Sequence, residues 1–528
     1  MTLPTVQVNI RGSGKMAEKK TEERKHLFGT TEKSDFILNM TKEQTYKFCG
    51  LYSIIAIGIL FLINIPYTIA QHTFDFIDED NVRKYADDMF ADYASILVIG
   101  AGLIGFWFFL VGRMKKEIVV GKNRSLAIIL LIIAVSAWSM FASGAISTAF
   151  LGYLDRSEGL LTILAYWGFF AAGMAVTGDK WRLRFTDFIV GLGLFNAVVG
   201  IMQTIPGLYD VIPNKFRDLY LRAGETPMSQ NEIYISGHGI FDKAQPATGL
   251  LITPFALAAV MTIVFGLAAS GLAFDKSGKK KVFYGISAVA SVAAAVLTKT
   301  IVGIIGVSAA GLTVVIVAIV ASAKKKQKSP MVIALSTLVV AAGCIVALAL
   351  SGASELRDEE IINTDSFYRM SIGTPRNDME EWIYAYLWSD GAYVIQQHPI
   401  TGTGPDNWAE MYNLGCKVVD RSYNEYIDVG MQRGVLCLVL YAAFLLVTLK
   451  KMFSAAGQHF KDEKAVCWVS LGIIAAMTGY LVQAFFNSGS NYSSPYFFIL
   501  CGIGWSYFAA GRISAAKKSK AAKKADED

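Results

Sequence analysis

Chemistry in this 528-residue chain would first be sought in its five histidines, its six cysteines and the stretch HPITGTGPDNW at 398–408. The histidines (His26, His72, His238, His398, His459) are scattered, with no HExxH pair and no Cys/His spacing that would hold zinc. Five cysteines (Cys49, Cys344, Cys437, Cys467, Cys501) fall in or beside apolar runs, which leaves Cys416 in a polar stretch without a partner. The GTG of 402–404 is not a phosphate loop, because the GK[ST] ending is missing. There is no GxSxG, and Asp78-Glu79-Asp80 reads as a solvated acidic loop. Pro399 and Pro405 fix φ, while Gly402 and Gly404 permit backbone geometry that other residues resist. The stretch is therefore expected to be a scaffold that holds Asp406, Asn407 and Trp408. No metal and no cofactor is called for. What remains is a set of tryptophans and tyrosines with dispersed cations: Arg156, Arg222, Lys243, Arg369, Arg376 and Arg421. That inventory suits a large, anionic, amphipathic substrate at a membrane surface, such as a lipid diphosphate carrying sugars.

The elements that would position these residues are membrane helices. The chain is 53% hydrophobic and 17% charged, whereas a soluble domain carries about a quarter charged residues. Runs long enough to cross a bilayer lie at 48–70, 93–112, 125–148, 159–178, 185–205, 247–272, 300–322, 331–351, 434–449, 466–486 and 495–511. A shorter Ala- and Val-rich run at 283–298 makes twelve. Under strict alternation RMKKEIVVGKNR (113–124), DKWRLR (179–184), KSGKKKV (276–282), KKKQK (324–328), Lys450-Lys451 and KKSKAAKK (517–524) share one face with both termini. The positive-inside rule makes that face cytoplasmic. The net charge of +6 is mostly this effect and not a footprint for nucleic acid.

The organisation expected is thus an all-α polytopic membrane protein. Residues 1–47 form a polar cytoplasmic tail, 48–351 carry nine spans, 352–433 form an extracytoplasmic cap, 434–511 carry three more spans, and 512–528 form a basic cytoplasmic tail. The cap is too long for a simple connection, and its 378–397 segment reads as a helix near the interface.

On these residues the chain resembles the O-antigen ligase and polymerase family. HPITGTGPDNW, followed after a gap by SYNEYIDVGMQRGVLCLVLY (422–441), looks like the family signature, and Trp388 precedes His398 as family tryptophans do. Asn424 to Gly434 keeps the family spacing. GYLDRSEGLLTILAY (152–166), GHGIFDKAQPATGLL (237–251) and FNSGSNYSSPYF (486–497) are similar to stretches in Gram-positive members. The chain departs from the pattern where Tyr423 takes the place of a usual His, Cys437 that of a small residue, Tyr384 that of an Arg, and Thr300-Ile301-Val302 that of Ser-Arg-Gly.

The resemblance implies a metal-independent glycosyltransferase that polymerises undecaprenyl-diphosphate-linked oligosaccharide repeats outside the cytoplasmic membrane. Its products would be surface polysaccharides, capsule among them, and other polysaccharide-assembly proteins would be its partners alongside membrane lipids. A ligase that moves a finished glycan to a lipid or wall acceptor is the runner-up, and a polysaccharide transporter or flippase is the alternative of another class. Arg156, Arg222, Lys243, Arg369, Arg376 and Asn424 would bind the diphosphate, and Arg156 leads because it stands in a family-like stretch beside Glu158. Tyr423 is a poor base at neutral pH and would orient substrate. Either Glu425 or His398 would then take the proton. Gly402, Gly404, Pro405, Asp406, Trp388 and Gly434 would form the structural part of the motif.

Overall fold

A computed structural model describes residues 39–60, 79–115, 125–152, 156–205, 247–251, 253–298, 300–325, 330–339, 342, 383–407, 421–461 and 467–509. The described residues form helices and turns, with no strand among them. In chain order the helices are α1 (Lys42–Ile59), α2 (Glu79–Met114), α3 (Leu126–Ala142), α4 (Ile146–Leu151), α5 (Leu160–Ala175), α6 (Asp179–Gln203) and α7 (Pro254–Phe274). They continue as α8 (Gly278–Leu297), α9 (Ile301–Lys325), α10 (Pro330–Val339), α11 (Ile383–Gln397), α12 (Glu425–Lys461), α13 (Cys467–Gln483) and α14 (494–509). Six of the described helices are long and apolar enough to cross a membrane. Large apolar side chains stand in the open on the outside of the bundle: Leu130 and Phe141 of α3 and Leu446 of α12 are each 67% exposed, as lipid-facing positions require.

Several boundaries differ from the expected ones, each for a local reason. α1 starts inside the expected polar tail because Thr41 caps it: its hydroxyl accepts from the Gln44 amide and the Gln44 side chain accepts from the Thr41 amide. The expected acidic loop before the second span is helical where it is described, from Glu79 onward, while Asp78 lies outside the described residues. The expected span 125–148 breaks at Ser143-Gly144, where Gly144 takes φ +70°, and resumes as the short α4. In the cap, helix begins at Ile383 and again at Glu425.

α7 is the centre of the bundle: 94% of its membrane-length window is buried, and α8, α9 and α13 pack on it. Small residues let helices approach without side chains between them. Between α2 and α5, a Cβ on Gly168 would collide with the Gly102 carbonyl. The two ends of the bundle differ in chemistry. At one end the Arg182 guanidinium bonds Ser506 and Asp179 and lies 4.3 Å from the Tyr507 ring, while Lys280 pairs with Asp187. The other end gathers the C-terminus of α3, the N-termini of α5, α12 and α14, and the C-terminus of α13.

Candidate functional site

The polar end is built around the start of α12. Asn424 is its N-cap, the side-chain oxygen accepting from the amides of Tyr426 (3.1 Å) and Ile427 (3.2 Å). The Glu425 amide is shared between the carbonyls of Ala484 and Asn487, both at 2.9 Å. Buried Asp428 accepts from the Ser422 hydroxyl at 2.6 Å, the Ser422 amide at 3.2 Å and the Ser488 hydroxyl. The head of α12 is thereby fastened to the turn after α13.

Midway along, α12 is broken. Gly434 has φ 80° and ψ 164°, outside the helical region. The break matters because Tyr441 donates its hydroxyl to Glu425 Oε1. Residues 16 apart on a straight helix stand roughly 24 Å from each other along the axis. Their contact requires residues 425–433 to fold back against residues 435 onward. The second segment thus starts at the break, and the first is an added helical arm. Glu425 Oε2 accepts from the Tyr480 hydroxyl at 3.3 Å, and the Tyr426 hydroxyl donates to the Leu481 carbonyl at 2.7 Å.

The two halves of the sequence motif meet at this break. The carbonyls of Met431 and Gln432 cannot find helical donors beyond Gly434, and they accept instead from the amides of Thr403 (3.0 Å) and Gly404 (2.9 Å). Val435 returns a bond from its amide to the Pro399 carbonyl at 2.8 Å. Ser139 of α3 also donates to the Gln432 carbonyl, and the Gln432 side chain accepts from the Asp406 amide. Gly402, Gly404 and Asp406 all adopt positive φ. The amides of Gly402 and Asn407 serve the His398 and Gly404 carbonyls, so the loop's N–H groups are engaged within the protein instead of forming an anion cradle.

Asp406 in turn carries Arg156. Arg156 Nε lies 2.8 Å from Asp406 Oδ1, a second guanidinium nitrogen donates to the Asp406 carbonyl at 3.1 Å, and the Glu158 amide donates to Asp406 Oδ2. The Arg156 carbonyl accepts from Asn491, whose side-chain oxygen accepts from the Tyr166 hydroxyl at 3.0 Å. Arg421 approaches Glu158 at 3.7 Å. One polar tract thus links the 156–158 turn, the 398–407 loop, the α12 head and the 484–494 turn.

The expected site residues separate into groups. Glu425 lies within this tract. His398 follows α11, half-buried, with its amide donating to the Val394 carbonyl. Tyr423 is buried at φ 49° in an apolar cluster with Phe255, Val302 and Leu387, its ring 5.0 Å from that of Phe255. Trp388 packs on the same cluster, 5.6 Å from the Phe486 ring. Arg156 and Asn424, expected to bind the diphosphate, are occupied by Asp406 and by the helix cap. Arg222, Lys243, Arg369, Arg376 and Trp408 lie outside the described residues, as does Cys416.

Sequence reasoning missed Arg433, Tyr441 and Tyr480. Arg433 Nε is buried with no hydrogen-bond partner among the described residues, and the guanidinium lies within electrostatic reach of Glu425. Its signal was the Gln432-Arg433 pair interrupting an apolar run just before Gly434. The two tyrosines carry no signal, since a tyrosine in an apolar span reads as packing. Among the described residues no cluster of His, Cys, Asp and Glu could hold a metal ion.

The fold and this polar end define a multi-pass helical membrane protein with one connected tract of buried polar groups around the head of α12. Residues 286–442 match the family model described as O-antigen ligase. The match runs from within α8 into the second segment of α12 and takes in the 398–407 loop, Glu425, Arg433 and the break at Gly434. It supports the O-antigen ligase and polymerase family for this chain, a family of glycosyltransferase-like enzymes of glycan assembly. No curated protein matches the chain.

Proposed function

We propose that the chain is a glycosyltransferase that joins undecaprenyl-diphosphate-linked oligosaccharide repeats into a surface polysaccharide, at the outer face of the cytoplasmic membrane. In this reading it has twelve spans, both termini are cytoplasmic, and the segment between the ninth and tenth spans is an outer cap. The six basic runs that fall on one face under strict alternation support the orientation.

The observation that carries the reaction is the Glu425 carboxylate, held by two tyrosine hydroxyls with the buried Arg433 guanidinium in electrostatic reach. The hydroxyl of one repeat attacks the anomeric carbon of another. Glu425 takes the hydroxyl proton, the bond between the anomeric carbon and the phosphate oxygen breaks, and undecaprenyl diphosphate leaves with that bond's electron pair. A cation fixed beside the leaving diphosphate stabilises the developing charge without reorganisation. Arg433 supplies one such cation, and Arg222, Lys243, Arg369 and Arg376 are the others proposed. Arg156 and Asn424 act as positioning residues, through Asp406 and the α12 cap. His398 is the alternative base.

The test is purified protein in liposomes with fluorescent lipid-linked repeats. Wild type is expected to lengthen the glycan, and Glu425→Gln to slow it by about a hundred-fold or more. Arg433→Ala should cost about 10²–10³-fold, as loss of a charge-stabilising group does. Movement of repeats across the bilayer with no chain growth would overturn the reading in favour of a flippase. Transfer only to a non-repeat acceptor would mark a ligase.

A further inference from the structure

Away from the polar end, α7, α8 and α10 line a half-open apolar cavity of about 360 Å³. Its walls include Phe265 and Leu272 of α7, Ala288 and Val292 of α8, and Val332 and Ile333 of α10. That volume is roughly a dozen times the ~30 Å³ occupied by one water in the liquid, yet the lining offers almost nothing for water to bond. One of its few hydroxyls, that of Thr337, already donates to the Ile333 carbonyl at 2.8 Å. A cavity of this kind beside a bilayer takes hydrocarbon.

What sits at its rim selects which hydrocarbon. Lys281 lies one turn before Gly285 on the α8 stripe that continues through Ala288 and Val292 into the cavity. It is half-buried, and Lys276 and Lys279, near the same helix start, are exposed. Lys280 is engaged by Asp187 at 2.6 Å, but among the described residues Lys276, Lys279 and Lys281 make no ion pair. An apolar slot with a lysine one turn beyond its lining, and further lysines at the same helix start, fits a lipid with a negative headgroup.

We propose that this cavity is a binding site for an acyl chain of an anionic phospholipid, whose headgroup Lys279 and Lys281 hold. The site is separate from the polar end, and only the leaflet that supplies the lipid rests on the orientation proposed above. The experiment uses the full chain in nanodiscs with a photoactivatable acyl chain on either phosphatidylglycerol or phosphatidylcholine. Attachment sites are mapped by peptide mass spectrometry. Labelling is expected on 285–292 and 332–337, with phosphatidylglycerol preferred roughly five- to thirty-fold, the range that one or two lysines near the surface supply. Lys279→Gln with Lys281→Gln should abolish the preference, and Ala288→Phe should reduce labelling by both lipids. If Ala288→Phe does not fold, the lysine double variant decides. Absence of labelling there, equal labelling by the two lipids, or complete displacement by undecaprenyl phosphate would each overturn the proposal. None of these readouts needs glycan synthesis, so their failure is distinct from failure of the proposed function.

Discussion

Arg156 and Asp406 stand 250 positions apart in sequence and form a 2.8 Å ion pair in which each side chain is 2% exposed. Removing one member of a buried pair leaves the other charged and desolvated, at a cost of about 3–5 kcal/mol. Arg156→Gln should therefore lower both thermal stability and polymer formation. Arg156→Gln combined with Asp406→Asn should recover most of both, because a neutral pair can still hydrogen-bond and the carboxamide oxygen would still accept from the Glu158 amide. Melting curves and glycan assays on the two single variants and the double variant check this. An arginine that gripped substrate phosphate would not be rescued.

Gly434 should tolerate no side chain. Its φ of 80° costs an L-residue about 1–2 kcal/mol, and a Cβ there would strike the Ile400 carbonyl oxygen. Gly144 is the matched control: its φ is +70°, but nothing lies within 4 Å of a built Cβ. Gly434→Ala is expected to lower the melting temperature clearly more than Gly144→Ala. Gly404→Val, which would press on Ser143, should lower activity by displacing the loop while donor binding persists. Equal effects of the two alanine variants would mean that the close approach of the Ile400 carbonyl does not hold the break at Gly434.

Glu425, His398 and Tyr423 can be ranked by single substitutions at matched expression. Glu425→Gln should cost about a hundred-fold or more in polymer formation, and His398→Ala much less. Tyr423→Phe removes about one hydrogen bond and should cost no more than roughly ten-fold. Tyr441→Phe, which frees one oxygen of Glu425, should fall between. If His398→Ala is the severe variant and Glu425→Gln is silent, the proton goes to the histidine.

The orientation has its own measurement. Cys49, Cys437 and Cys501 are buried, so in intact cells a membrane-impermeant maleimide is expected to modify Cys416 alone. A cysteine introduced at Lys325 should stay unlabelled from outside. Labelling at Lys325 would invert the bundle and move the polar end to the cytoplasm.

Much of this architecture is legible in residue pattern. Apolar run length locates the helices, and the paired glycines of 402–404 announce a loop of unusual backbone. Near 434 a charged, polar stretch gives way to continuous apolar residues, and the second α12 segment starts there. The arm at 425–433 is harder to see, although Asn424 before an acidic residue is an N-cap signal: inside a stretch that resembles a family loop, that signal is easily outweighed. Arg156 is obscured for a different reason. A cation beside Glu158 in an outer turn looks available, and no spacing rule reveals an aspartate 250 residues away that will claim it. Tyr441 and Tyr480 lie beyond sequence reasoning altogether, since only the fold-back of α12 turns them toward Glu425.

The fold-back also sets an order of events during synthesis. Arg156 is made first, 250 residues before the Asp406 that pairs with it. Within α12 the continuous apolar stretch starts at 435, and the 425–433 arm can pack back on it only once that stretch has been made. Even then Glu425 lacks Tyr480, and Asp428 lacks Ser488, until α13 has crossed and the 484–494 turn has emerged. The polar end is therefore completed last, by the final part of the chain. A nascent protein halted after α12 would lack Tyr480, Ser488 and Asn491, and with them the bonds that close the tract around Glu425, Asp428 and Arg156.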